Sequence, residues 1–181
     1  MFYVTYAQMV LIVSAIWIII RSICAIRYKK LSLKREAHLL LVYICIVVVV
    51  RFTFCPFGTV NGQIQPLIFD SANILPLKVN LIPFIYLFDY PTRRETLLNL
   101  IGNTAMFIPL GIVWPAVFKK LDTPLKAILA GICTSLAIEI IQLPFYDRTS
   151  DIDDLVLNTV GYLIGYGIYS LVRCIHRKKK S

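Results

Sequence analysis

Long apolar runs separated by short polar stretches dominate this 181-residue chain. Five runs come near the length of about 20 residues that a helix needs to cross about 30 Å of hydrocarbon. They cover residues 2–20, 37–56, 97–118, 124–144 and 154–172. Helix is the expected conformation because lipid offers no hydrogen-bond partner to an unpaired backbone group. The pattern predicts an all-α, polytopic membrane helix bundle with about five transmembrane helices.

The composition supports the same class, since 58% of the residues are hydrophobic and 16% are charged. Such values are typical of multi-pass proteins of the cell membrane and not of soluble domains. We interpret the first run as a retained span, because no charge precedes it and no small-residue cleavage site follows it. The five cysteines occur singly, which favours packing roles. The predicted organisation is a first helix with a basic loop (1–36), a membrane domain (37–175) and a basic tail (176–181).

Charged residues in the connecting stretches fall into two groups. The basic group comprises Arg21, Arg27, Lys29, Lys30, Lys34, Arg35, Lys119, Lys120, Lys126, Arg173, Arg177, Lys178, Lys179 and Lys180. The opposite group comprises Lys78, Arg93, Arg94 and Arg148 with Asp70, Asp89, Glu95, Asp147, Asp151, Asp153 and Asp154. The positive-inside rule places the amino terminus outside and the carboxyl terminus in the cytoplasm. The net charge of +9 then reflects topology and attraction to anionic membrane lipids, with no nucleic acid as partner.

Ionisable side chains also occur inside the predicted spans. Arg51 and Glu139 each lie five residues before the outer end of their span, which is roughly 7 to 8 Å below the boundary. A charge at this depth normally faces the bundle interior and has a partner. We therefore predict that Arg51 pairs with Glu139, while Gln142 shares a helix face with Glu139.

Asparagines extend this polar layer to two further spans. Asn99 and Asn103 share one face at i and i+4 spacing, and Asn158 lies one turn below Asp154. Polar groups from four spans thus meet at one depth. Either they only bind helices to each other through interhelical hydrogen bonds, or they form a polar pocket open to the outer leaflet. Their clustering in depth favours the pocket.

The aspartates before the last span have a structural interpretation of their own. Ser150 and Asp153 fit a capping box, and acidic residues stabilise a helix amino terminus. A divalent cation on this triplet is an alternative, but the spacing and glycine of a calcium loop are missing, so no metal is predicted. Gly161 and Gly165 form a small-xxx-small face for close helix packing, with Gly167 nearby. The apolar, proline-broken segment 57–96 is expected to lie along the outer interface or to dip over the polar layer.

These motifs together resemble one family, the VanZ-like membrane proteins. The resemblance covers roughly residues 40–170 and rests on stretches that include Arg51–Pro56, Asn80-Leu-Ile-Pro-Phe and Asn99-Leu-Ile-Gly-Asn-Thr-Ala-Met-Phe-Ile-Pro-Leu-Gly. Its most specific part comprises Glu139, Gln142, Arg148, Asp151 to Asp154, Asn158 and Gly161. The resemblance implies an envelope role, because some members lower susceptibility to teicoplanin and related lipoglycopeptides, which act on cell-wall precursors at the outer face.

Three functions are compatible with these features. The favoured one is a non-catalytic module, without cofactor, whose polar layer binds an envelope lipid, a lipid-linked cell-wall precursor or a lipoglycopeptide, with Arg51 and Arg148 meeting anionic groups. The alternative is an intramembrane enzyme acting on a lipid-linked envelope substrate, with Glu139 or Asp154 as general base. Against it, no GxSxG elbow, HExxH motif or phosphate-binding loop occurs, and His38 and His176 both lie on the inner side. A transporter is least favoured, because no internal repeat is seen.

Overall fold

The computed structural model describes residues 1–28, 32–54, 59–60, 63–76, 78–84, 92–146 and 148–179. Within these ranges the helices are α1 (Tyr6–Tyr28), α2 (Leu33–Phe54), α3 (Arg93–Val117), α4 (Pro124–Gln142) and α5 (Ile152–Lys178). Short strands are β1 (Phe2–Val4), β2 (Thr59–Val60), β3 (Gln63–Ile64), β4 (Leu67–Phe69), β5 (Val79–Asn80) and β6 (Ser150–Asp151). All five helices are long and apolar enough to cross a membrane. The predicted all-α membrane bundle is confirmed.

All five predicted spans have somewhat different bounds in the structure. Helices α2 and α3 each begin four residues earlier than expected, α4 ends two residues earlier, and the largest differences concern α1 and α5. The first was expected from residue 2, but residues 2–4 form β1, which pairs antiparallel with β4, and α1 begins only at Tyr6. The last span was expected to end at 172, but α5 continues to Lys178. The last turns of α5 carry basic residues, whose long side chains can place their charges in water beyond the membrane boundary. One of them, Arg173, also forms an ion pair with Asp122.

Helices α3 and α5 form the most extensive helix pair, and glycines make their close approach possible. A Cβ at Gly161 would lie 2.0 Å from the Thr104 carbonyl oxygen, and one at Gly165 would lie 2.1 Å from the Ile108 oxygen. Gly111 of α3 approaches α5 in the same way. The small-xxx-small interface is therefore confirmed, except that Gly167 has nothing within 4 Å and is not part of it.

The core lies where α2, α3, α4 and α5 meet. Phe107, Ala127 and Tyr162 are fully buried there. Helix α1 is peripheral and has no buried residue. It attaches to α2 through the Ser14–Tyr43 hydroxyl pair at 2.6 Å.

The two ends of the bundle differ in chemistry. Helices α2 and α4 end, and α3 and α5 begin, at one end, which also carries β5 and β6. We call it the polar end, and we call the opposite end, where the α1–α2 and α3–α4 connections lie, the basic end.

Four of the cysteines are described and are free thiols: Cys24, Cys45, Cys133 and Cys174. Several residues named in the sequence analysis lie outside the described residues: Cys55, Pro56, Lys29, Lys30, Asp89, Asp147 and Lys180.

Candidate functional site

The connection from α4 to α5 is built around Glu139, a carboxyl in the last turn of α4. Its Oε2 accepts a hydrogen bond from the backbone N–H of Asp151, with 3.1 Å between the nitrogen and the oxygen. The Ser150 hydroxyl donates to the Glu139 carbonyl oxygen at 2.8 Å. Glu139 and Ser150 are only 6% and 7% exposed. These bonds are shielded from solvent and hold the start of α5 against the end of α4.

Asp151 caps the amino terminus of α5. Its Oδ1 accepts from the backbone N–H of Asp153 at 2.9 Å, and α5 begins at the next residue, Ile152. The predicted capping box starting at Ser150 is therefore wrong. The reason is that β6 pairs in parallel with β5, Ser150 opposite Val79, which keeps Ser150 extended and one residue outside the helix.

The segment before α3 docks onto the same aspartates. Asn80 donates from Nδ2 to both carboxylate oxygens of Asp151, at 3.2 Å each. The backbone N–H of Phe84 donates to Oδ1 of Asp153 at 2.9 Å. Phe84 has a φ of 63°, the left-handed conformation that a side chain rarely adopts. The predicted dip of this segment over the polar layer is seen for residues 78–84.

One turn deeper, two asparagines join helices. Asn103 of α3 donates from Nδ2 to the Asp154 carboxylate of α5. Asn158 of α5, only 1% exposed, donates from Nδ2 to the Ser135 hydroxyl of α4 at 2.9 Å. Both bonds cross between helices in the bundle interior, where interhelical hydrogen bonds stabilise a membrane fold.

The predicted ion pair between Arg51 and Glu139 is wrong. The guanidinium of Arg51 lies over the Tyr6 ring, 5.6 Å from its centroid, while Glu139 accepts from Asp151. The link between α2 and α4 is made instead by Gln142, whose Nε2 donates to the Thr53 carbonyl oxygen at 2.6 Å. Thr53 lies in the last turn of α2, where carbonyl groups lack an intrahelical partner.

Arg148 and Asn99 occupy the margins of the site. Arg148 is half-buried in the α4–α5 connection, and its positive charge acts on Asp154 together with the negative charges of Asp151 and Asp153. Asn99 is half-buried on α3. Among the described residues we find no hydrogen bond from the Asn99 side chain, so the structure joins only the second of the two predicted α3 asparagines to the polar layer.

Sequence reasoning missed several partners in this site: Asn80, Ser135, Thr53 and the hydroxyl role of Ser150. Asn80 had a usable signal, since the stretch Asn80-Leu-Ile-Pro-Phe was already one of those that carry the family resemblance. Thr53 had none, because a backbone carbonyl carries no mark in the sequence. In the part of the chain that the structure describes, no three histidine, cysteine or carboxylate side chains are grouped to hold a metal ion.

A pocket of about 150 Å³ adjoins Glu139. We call it the Glu139 pocket. Its polar lining consists of Glu139, Ser150 and Asp151. Its aliphatic lining consists of Val79, Leu81, Leu136, Ile140, Leu143, Ile152 and Leu155. The pocket surface is almost entirely hydrocarbon, although the buried Glu139 is among its lining residues. Such a space suits the apolar part of an amphiphilic molecule.

Comparison with known proteins points to one family. A family model described as VanZ/LLP1 matches residues 40–173. Protein VanZ of Enterococcus faecium is 30% identical over 118 residues, which cover 65% of this chain and 68% of that protein. No solved structure matches the chain significantly. The region matched by the family model includes every residue of the site on α2, α3, α4 and α5.

Proposed function

Because this chain belongs to the VanZ/LLP1 family, we propose that it acts in the cell membrane as a binding protein for an envelope amphiphile. The ligand is an envelope lipid, a lipid-linked cell-wall precursor or a lipoglycopeptide, and the phenotype is a contribution to teicoplanin-type resistance. The observation that carries this proposal is the buried, acidic Glu139 among the lining residues of an aliphatic pocket at the polar end.

The charge distribution supports an outward-facing site. Basic residues occupy the ends of α1 and α5 and the connection between α3 and α4, all at the basic end. Positive residues of this kind are retained on the cytoplasmic side. The polar end then faces outward, where envelope precursors and the drugs that bind them are found.

Not every polar contact in the bundle needs a ligand to explain it. Gln142 with Thr53, Asn158 with Ser135, and Asn103 with Asp154 each join two helices directly. Glu139 differs, because it is a lining residue of a pocket. Among the described residues its carboxyl accepts one backbone hydrogen bond, from Asp151, of the four hydrogen bonds that a carboxylate can take. The ligand site is therefore assigned to Glu139 and its pocket.

The test is teicoplanin susceptibility of a sensitive Gram-positive host that expresses the wild type, Glu139→Gln, Asp122→Asn or an empty vector. Asp122→Asn is the matched carboxylate-to-amide change at the basic end. We expect protection by the wild type and by Asp122→Asn, and its loss with Glu139→Gln at equal membrane level on a blot. Equal susceptibility of all four strains at equal expression would reject the resistance role.

A further inference from the structure

The Glu139 pocket has aliphatic walls that open toward lipid. Leu81 and Ile140 are 71% and 57% exposed, and on the surface of a membrane bundle such side chains contact hydrocarbon. Only Glu139 and Ser150 at the polar side of the pocket are buried away from this surface. A hydrocarbon chain can therefore enter from the bilayer and bring an attached polar group to Glu139.

The volume limits what the pocket takes up. About 150 Å³ is the size of an apolar cavity that accommodates a benzene-sized group. Such a volume holds a short length of hydrocarbon and not a complete lipid tail. The rest of a longer chain would continue along the exposed α4 face formed by Leu136 and Ile140.

The depth of the pocket fits the junction between a head group and its chain. Glu139 lies three residues before the end of α4 at Gln142, which is about 4.5 Å along the helix axis. Glu139 is therefore close to the membrane boundary, while Leu136 of the pocket lining lies about one turn deeper on the same helix.

The acidic groups around the pocket select the chemistry of that head group. The charged neighbours that act on Glu139 are Asp151 and Asp154, both negative. Among the described lining residues there is no lysine or arginine. A phosphate at this position would add a further negative charge, whereas an ammonium group would donate charge-assisted hydrogen bonds to the carboxylate.

We propose that the Glu139 pocket binds an amine-bearing amphiphile, with the ammonium group on the Glu139 carboxylate and the adjoining hydrocarbon between the aliphatic side chains. This inference rests on the proposed function and deepens it by naming the chemical class of the ligand. Two sources share this chemistry: a membrane lipid whose amine lies next to its hydrocarbon chain, such as a long-chain base, and an amine-bearing drug with a hydrocarbon tail.

The test compares three probes of equal chain length on the full-length protein in maltoside micelles: tetradecylamine, tetradecanol and tetradecyl phosphate. Native mass spectrometry counts the bound probe, and titration gives its affinity. We expect one saturable amine site per chain, with an affinity at least about tenfold above those of the alcohol and the phosphate. Equal or tighter binding of the phosphate would overturn the proposal.

Two variants separate the head-group contact from the hydrocarbon contact. Glu139→Gln should lower tetradecylamine affinity about tenfold and leave tetradecanol affinity unchanged. Leu136→Trp should fill the pocket and weaken both probes. The matched control is Leu129→Trp, on the same helix and 51% exposed but outside the pocket lining, which should bind like the wild type. Unchanged amine binding in Glu139→Gln, or equal losses in both tryptophan variants, would contradict the assignment.

A competition assay identifies the source of the ligand. Displacement of bound tetradecylamine by a long-chain base such as sphinganine, but not by phosphatidylglycerol, identifies a membrane lipid, and displacement by teicoplanin identifies a drug. Displacement by neither would contradict the inference that the ligand is an envelope amine. If amine binding persists while the host stays fully susceptible, the pocket assignment stands and the resistance role fails.

Discussion

The closest helix contact in the bundle can be tested with a single methyl group at Gly161. A Cβ at this position would lie 2.0 Å from the carbonyl oxygen of Thr104, a backbone atom that cannot rotate away. Bringing this separation up to an ordinary 3.4 Å requires α3 and α5 to move apart by about 1.4 Å. A gap of 0.5 to 1 Å already removes roughly a quarter to a half of the dispersion energy of a contact.

The expected cost of Gly161→Ala follows from two opposing terms. Overpacking costs about 1 to 3 kcal/mol, and the upper value applies because the obstruction is backbone. Replacing a helical glycine by alanine returns about 1 kcal/mol. The net destabilisation is therefore about 2 kcal/mol. Gly167 is the matched control on the same helix, since it has nothing within 4 Å and Gly167→Ala should stabilise by up to about 1 kcal/mol.

Thermal unfolding in maltoside, followed by scanning fluorimetry, measures the difference between the two alanine variants. About 3 kcal/mol separates them, which corresponds to roughly 6 to 12 °C for a chain of this size. Adding Gly165→Ala to Gly161→Ala should cost less than the sum of the single changes, because one separation of the helices relieves both clashes. A midpoint for Gly161→Ala at or above that of Gly167→Ala would refute the reasoning.

Three further predictions concern other contacts and the orientation of the bundle. Asn103→Ala should lower the free energy of unfolding by about 1 to 2 kcal/mol through loss of the bond to Asp154, whereas Asn99→Ala should be neutral; equal thermal midpoints would contradict this. Charge reversal at Arg173 or Asp122 alone should lower the thermal midpoint, and reversal of both should restore it; a double variant no more stable than the singles would argue against the ion pair. A fluorescent protein fused to the carboxyl terminus should fluoresce, and alkaline phosphatase at the same point should be inactive; the reverse pattern would invert the proposed topology.

The helices could be predicted because a membrane-spanning helix is recognised by its length and its apolar composition, and both can be taken directly from the sequence. The predicted Arg51–Glu139 ion pair was wrong because it was inferred only from the equal depth of the two residues in their spans. Contact depends on how each helix is rotated about its axis, and α2 presents Arg51 to Tyr6 of α1. The rotation is set by packing of whole helix surfaces and has no local mark in the sequence.

Strand pairing was missed for a related reason. Residues 2–4 have the hydropathy of a span, yet they pair with β4, more than sixty residues away. Likewise β5 pairs with β6 across α3 and α4. Two- and three-residue strands have no periodicity to detect, so only their distant partners define them. The β5–β6 pairing positions Asn80 on Asp151 and completes the site.

The architecture also explains why an amide is the most informative replacement at Glu139. The carboxyl accepts one hydrogen bond from the Asp151 backbone, and the side-chain oxygen of glutamine can accept the same bond. The replacement therefore keeps the α4–α5 connection while removing the negative charge. An alanine would leave the buried Asp151 N–H without an acceptor, at a cost of about 1 to 3 kcal/mol. Only the amide change separates the contribution of Glu139 to ligand charge from its contribution to folding.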